Sequence, residues 1–162
     1  FHIWARNASA AQVLKTDLNA TGHNAITVSD LNVAIGQADI IMTTTNSTKP
    51  LFADGLVRKG CHVTAIGADC LGKQELPTKL VATASLRVCD MASQSLNHGE
   101  FQTACRSDAS LQVTELGHIL SGQQIGRTLD QDITIVDLTG IAAQDIAITQ
   151  AILDAAACSK TQ

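Results

Sequence analysis

Short apolar runs, each followed by a polar loop or a segment with helical spacing, recur along most of this 162-residue chain. Phe1 to Ala5 is the first run, and Ala8, Ala11, Val13, Leu14 and Leu18 follow at helical spacing behind Arg6 and Asn7. Ala25 to Val28 reads as a second strand. Ser29 and Asp30 then cap a helix through Leu31, Val33, Ala34 and Ile35 that Gly36 ends. Asp39 to Thr43, Gly60 to Ile66 and Leu86 to Asp90 are further strands, and Asp132 to Leu138 is the last before an apolar-striped helix over Ala143 to Ala157. Between residues 91 and 131 the pattern weakens to short helical pieces such as Thr114 to Leu120. Runs of continuous rather than alternating apolar character suit strands covered on both faces. Strands separated by helices predict an α/β fold, a doubly wound parallel sheet with right-handed crossovers.

Composition removes several classes of function. Hydrophobic residues make up 45% of the chain and charged ones 16%, which is too apolar for disorder. No apolar run approaches the roughly 18–20 residues of a membrane span, and the first residues lack the regions of a signal peptide. With 11 Lys and Arg against 15 Asp and Glu, basic residues scattered singly and aromatic content at 2%, nucleic acid has neither a basic footprint nor stacking platforms to meet. Cys61, Cys70, Cys89, Cys105 and Cys158 are odd in number and form no C-x-x-C pair. The expectation is reduced thiols in a cytoplasmic protein, with no disulfide framework and no metal site.

In a doubly wound sheet, ligands bind beyond the carboxyl ends of the strands. Three loops qualify. After the first strand, Ala5 offers no carboxylate to a ribose 2′-hydroxyl, whereas Arg6 offers a cation to a 2′-phosphate; the alternative is a solvated arginine at a helix start. The hydroxyls and amides of Thr43 to Thr48 border a ribose or nicotinamide, or else cap a helix. Asp69, in Gly67-Ala68-Asp69, is placed past a buried strand, where desolvation would raise its pKa into the range of proton transfer; the alternative is an N-cap. No G-x-G-x-x-G follows a strand, and the chain opens in mid-pattern without Met, so a fragment lacking its first strand and phosphate loop is expected.

Several motifs together resemble the ornithine cyclodeaminase and mu-crystallin family. They are Ile3-Trp4-Ala5-Arg6, Ala38 to Thr45, Gly60 to Asp69 with Gly72-Lys73-Gln74-Glu75-Leu76, Glu115-Leu116-Gly117, Gly126-Arg127, and Gly140 to Asp145, which occur in the family's order over nearly the whole chain. The resemblance implies a Rossmann domain for NAD(P), here over residues 1–138. Residues 139–162 would return toward a separate domain that binds substrate and makes a homodimer. It further implies that Asp69 is the catalytic carboxylate, holding the substrate nitrogen and exchanging its proton, and that Thr43, Ile66, Gly67, Ala68, Asp69 and Lys73 border the cofactor, beside Arg6 and Asn7 of the first loop. Thr139 would lie near the nicotinamide and Gly140 next to substrate.

Two positions depart from the family pattern. Leu71 stands where many members have Pro, and Ala5 stands where NAD-using cyclodeaminases have an acidic residue. The second departure favours NADPH, with NAD as the other cofactor, and a reductase of small cyclic imino acids such as Δ1-pyrroline-2-carboxylate. An NAD-dependent ornithine cyclodeaminase and a mu-crystallin-like NADPH binder remain as alternatives.

Overall fold

The structure is a computed structural model that describes residues 1–159, so residues 160–162 of the predicted C-terminal segment lie outside the described residues. The chain begins with β1 (His2–Ile3), α1 (Ala8–Ala20), β2 (Ile26–Thr27), α2 (Leu31–Gln37), β3 (Ile40–Thr43) and β4 (His62–Ala65). It continues through α3 (Thr78–Thr83), β5 (Leu86–Cys89), α4 (Ala92–His98), α5 (Gln102–Ser107), β6 (Thr114–Glu115), α6 (Leu116–Leu120), β7 (Thr134–Asp137) and α7 (Ala142–Ser159). All pairings between these strands are parallel. β1 and β2 form a two-stranded sheet, and the other five pair in the order β3-β4-β7-β5-β6. The parallel α/β architecture expected from the alternation is the one found.

Burial explains the order. β7, the last strand in sequence, inserts between β4 and β5, and Ile135 at its middle is fully buried. Ile41, Val63, Ala65, Cys89 and Ile135 present one face of the five-stranded sheet to Ile35 of α2, Leu80 and Val81 of α3 and Ala104 of α5. Successive side chains on a strand point to opposite faces. Ile40 and Met42, on the other face of β3, are accordingly 69% and 65% exposed. The continuous apolar run over residues 39–43 is therefore covered on one face only among the described residues, not on both.

Local signals hold at the helix starts. The Asn7 side chain accepts from Ser9 N and Ala10 N at the start of α1, and Asp30 accepts from Val33 N at the start of α2. Gly36 does not end α2, which runs on through Gln37, because one exposed glycine costs a helix only about 1 kcal/mol. β6 is a strand that the sequence pattern did not reveal, since two residues are too few for periodicity to register. α7 forms where its apolar stripe predicts, yet Ile146, Ile148, Ile152 and Leu153 are all exposed. No described helix is long and apolar enough to cross a membrane.

Ile135 is a fully buried apolar side chain on the central strand, so Ile135→Ala leaves a cavity that the flanking strands cannot close. Denaturant unfolding should show a loss of about 2–5 kcal/mol.

Candidate functional site at the carboxyl ends of the strands

Register brings the site together. Thr43 pairs with Ala65, Ala65 with Asp137 and Asp137 with Cys89, so the ends of four adjacent strands lie level in one row. Because the strands are parallel, the residues that follow them emerge at one end of the sheet: the loops starting at Thr44, Ile66, Leu138 and Asp90. This places Thr43, Ile66, Gly67, Ala68, Asp69, Lys73, Thr139 and Gly140 around one end of the molecule.

Asp69 departs from its expected environment. Its side chain is 50% exposed, and Lys73 Nζ donates to Asp69 Oδ1 at 2.5 Å. The bond from Lys73 holds the Asp69 carboxyl below the usual range, against a smaller desolvation effect, and reciprocally raises the pKa of the Lys73 ammonium. The raised pKa expected of Asp69 is thus corrected to a lowered one, because a lysine one turn away stabilises the charge more than burial opposes it. Nor does Asp69 cap a helix: the chain turns at Gly72, whose φ of +84° favours glycine.

The loop carrying Asp69 is fixed from below by Gln102. The Gln102 Oε1 accepts from Gly72 N at 2.9 Å, and its Nε2 lies 3.2 Å from the carbonyl oxygens of Cys70 and Lys73 and 2.9 Å from that of Gly99. A second loop is fixed by Asp90. Thr139 Oγ1 donates to Asp90 Oδ1 at 3.0 Å and Gly140 N to Asp90 Oδ2 at 2.7 Å, which defines the turn after β7.

A cavity of about 400 Å³ lies between the β1–α1 connection and the loop after β3. Trp4, Ala5, Arg6, Asn7, Thr44 and Thr45 are among its lining residues. Arg6 is exposed and makes no hydrogen bond or ion pair among the described residues, whereas the Asn7 side chain is already used as the cap of α1. Thr43 gives its hydroxyl to Glu75 at 2.7 Å, and Ala68 is fully buried. Ile66 is 38% exposed at the end of β4. The lining thus combines the hydroxyl-rich loop with an exposed guanidinium, and no carboxylate is among its residues.

Beneath the loops lies a row of buried acids to which the sequence analysis gave no role. Glu75 and Asp137 are fully buried and Glu100 is 1% exposed. Glu100 accepts from Glu75 N at 2.9 Å and Leu76 N at 2.7 Å, while burial pushes its carboxyl up to about 8. Burial likewise raises Asp137 to about 6, against the opposing bond from the Ser95 hydroxyl. Glu75 stands in the Gly72-Lys73-Gln74-Glu75-Leu76 motif, but nothing in a single sequence distinguishes a buried glutamate there from a solvated one. Glu100, Gln102 and Asp90 fall in or beside the stretch without clear periodicity.

The arrangement has counterparts. A sequence model of the ornithine cyclodeaminase/mu-crystallin family matches residues 1–160. The chain belongs to the ornithine cyclodeaminase/mu-crystallin family. A Δ1-pyrroline-2-carboxylate reductase of Bacillus cereus is 37% identical over 133 residues, which cover 80% of this chain and 41% of that protein. The iminosuccinate reductase of Paracoccus denitrificans, solved in complex with NAD+, superposes with a TM-score of 0.90 at 33% identity over 98% of this chain and 49% of its own. An archaeal alanine dehydrogenase dimer with bound NAD gives a TM-score of 0.86 at 31% identity, over 95% of this chain and 48% of its own. This family member thus spans less than half the length of the relatives it matches.

The buried acids give a signed pH dependence. Glu100 has a folded pKa near 8 against an ordinary value of 4.5, so the unfolded chain releases this proton first and stability falls as pH rises between those values. His62, whose pKa is lowered by burial, acts in the opposite direction but only below its ordinary 6.5. From pH 6.5 to 8 the melting temperature should therefore decline, and Glu100→Gln, which cannot ionise, should show a flatter decline in the same thermal melts.

Proposed function

We propose that this chain is the cofactor-binding part of an NAD(P)H-dependent reductase of small cyclic imino acids, of which Δ1-pyrroline-2-carboxylate is the type. The observation that carries this reading is Asp69, kept as an exposed carboxylate by Lys73 at the carboxyl end of β4, on the sheet end shared with the hydroxyl-rich loop and the Thr139-Gly140 turn. A nicotinamide cofactor supplies the hydride when bound. The Asp69 carboxylate accepts the N–H of a protonated cyclic imine and favours that cationic, electrophilic form over the neutral one. Because the proton is already on the substrate nitrogen, Asp69 need not release one itself, which agrees with its lowered pKa. Gln102 and Lys73 hold the carboxylate in place, and Asp90 sets the facing turn.

NADPH is the cofactor we assign, because Arg6 is an unpaired cation beside the cavity and Ala5 supplies no acid to a ribose hydroxyl. Residues 1–138 then form the cofactor domain, and residues 139–162 lead toward a substrate and dimerisation domain of the complete protein, a homodimer. The exposed apolar side chains of α7 support a segment that meets further protein. The free thiols of Cys61, Cys70, Cys89, Cys105 and Cys158 support a cytoplasmic setting.

Turnover of Δ1-pyrroline-2-carboxylate by the complete protein, measured with NADPH and with NADH, tests the reading. Asp69→Asn should lower kcat by about 100-fold or more while cofactor affinity changes little. Ammonia release from L-ornithine with NAD would identify a cyclodeaminase instead, and tight NADPH binding with negligible turnover would identify a binder. In the same titrations Arg6→Ala should weaken NADPH by about 10-fold and leave NADH nearly unchanged, as the loss of one charge-assisted bond to a 2′-phosphate requires.

A further inference from the structure

The loops after β3 and β4 run closer together than a side chain between them would allow. A Cβ on Gly67 would lie 1.9 Å from the Thr45 carbonyl oxygen, 2.5 Å from Thr45 N and 2.7 Å from Glu75 Cδ. Three donors from the two loops converge on the Glu75 carboxylate at this point. Thr43 Oγ1 donates to Oε2 at 2.7 Å, Gly67 N donates to the same oxygen at 2.9 Å, and Thr45 N donates to Oε1 at 2.5 Å.

The glutamate is itself fixed. It is fully buried and forms no ion pair among the described residues. The three donors satisfy both oxygens of this buried side chain in place of a cationic partner. Its backbone N–H is taken by Glu100 and its carbonyl oxygen accepts from Leu51 N at 2.8 Å. Gln74 N also donates to Ser47 O at 2.9 Å, so the segment carrying Glu75 runs alongside the loop that its side chain grips.

We propose that Glu75 is a positioning residue: its carboxylate sets the spacing between the loops of residues 43–48 and 66–73, and through it the affinity of the site for a nicotinamide dinucleotide. The proposal rests on the cofactor-binding reading above. Asp69 is held separately, by Lys73 and by the Gln102 contacts to its loop, so loss of Glu75 acts on cofactor binding and not on the chemical step. Glutamine is a poor replacement, because its NH2 must face a backbone N–H where Glu75 presents an oxygen. Aspartate is one methylene too short to reach both loops.

The test uses the complete protein, with NADH binding followed by fluorescence, turnover of Δ1-pyrroline-2-carboxylate, and amide hydrogen exchange. Glu75→Gln should raise the Kd and KM for NADH by about 10-fold or more, with kcat at saturating NADH within about 3-fold. Exchange should quicken in residues 43–48 and 66–68 and stay unchanged in residues 69–73, held by Gln102 and Lys73, and in β5 and β7. Thr43→Val deletes one of the three donors without adding bulk and should shift affinity and exchange in the same direction by less; it serves as the decisive variant if Glu75→Gln does not fold. Unchanged NADH affinity in a folded variant, a fall in kcat at constant KM, or exchange quickened across the whole sheet would each overturn the proposal. Wild-type protein that binds neither NADH nor NADPH would overturn the cofactor-binding reading instead, and the exchange measurement would still decide whether Glu75 spaces the loops.

Discussion

Everything at the functional end of this molecule depends on parallel strands kept in register. Thr43, Ala65, Asp137 and Cys89 form a single row across four strands, and each strand releases its loop at the same height. Parallel pairing obliges the chain to return by crossover after every strand, which spreads the site over residues far apart in sequence. Thr139 reaches Asp90 across 49 positions and Thr43 reaches Glu75 across 32. A site assembled this way is only as well defined as the contacts that lock one loop to the next.

Those locks are acidic and buried, an expensive choice. Burial raises the proton affinity of Glu100, the charges of Asp137 and Glu75 add to that rise, and none of the three acids forms an ion pair among the described residues. Backbone N–H groups take the place of counter-charges. Polar side chains placed this way impose geometry, since each bond has a direction that apolar packing lacks. Gln102 follows the same logic without charge, gathering carbonyl oxygens from the Asp69 loop and from the end of α4 on one amide nitrogen.

The sequence made the framework legible because periodicity is a long-range repetition. The strands at residues 40–43, 62–65, 86–89 and 134–137 and the helices at 8–20 and 142–159 all carry enough apolar positions to register. β6 and the α4–α5 pair do not, being short and rich in small polar residues. Of the candidate site, the positions of Arg6, Thr43, Asp69 and Thr139 at or just past strand ends could be read from sequence. Their electrostatics could not. The lowered pKa of Asp69 comes from the approach of Lys73 over an irregular loop, and the roles of Glu75, Glu100, Asp90 and Gln102 exist only once distant loops meet.

Gly67 carries a consequence for how such a site can vary. Its backbone torsion lies outside the left-handed region, so conformational freedom is not what the position demands; volume is. The floor of the site is filled to contact by the Thr45 backbone and the Glu75 carboxyl, and any atom added there displaces main chain. Change in what the pocket prefers is therefore confined to its rim, at positions such as Arg6, which is exposed and whose side chain has no hydrogen-bond or ion-pair partner among the described residues. A rigid floor beneath a permissive rim lets related chains diverge in ligand without rebuilding the strands that support them.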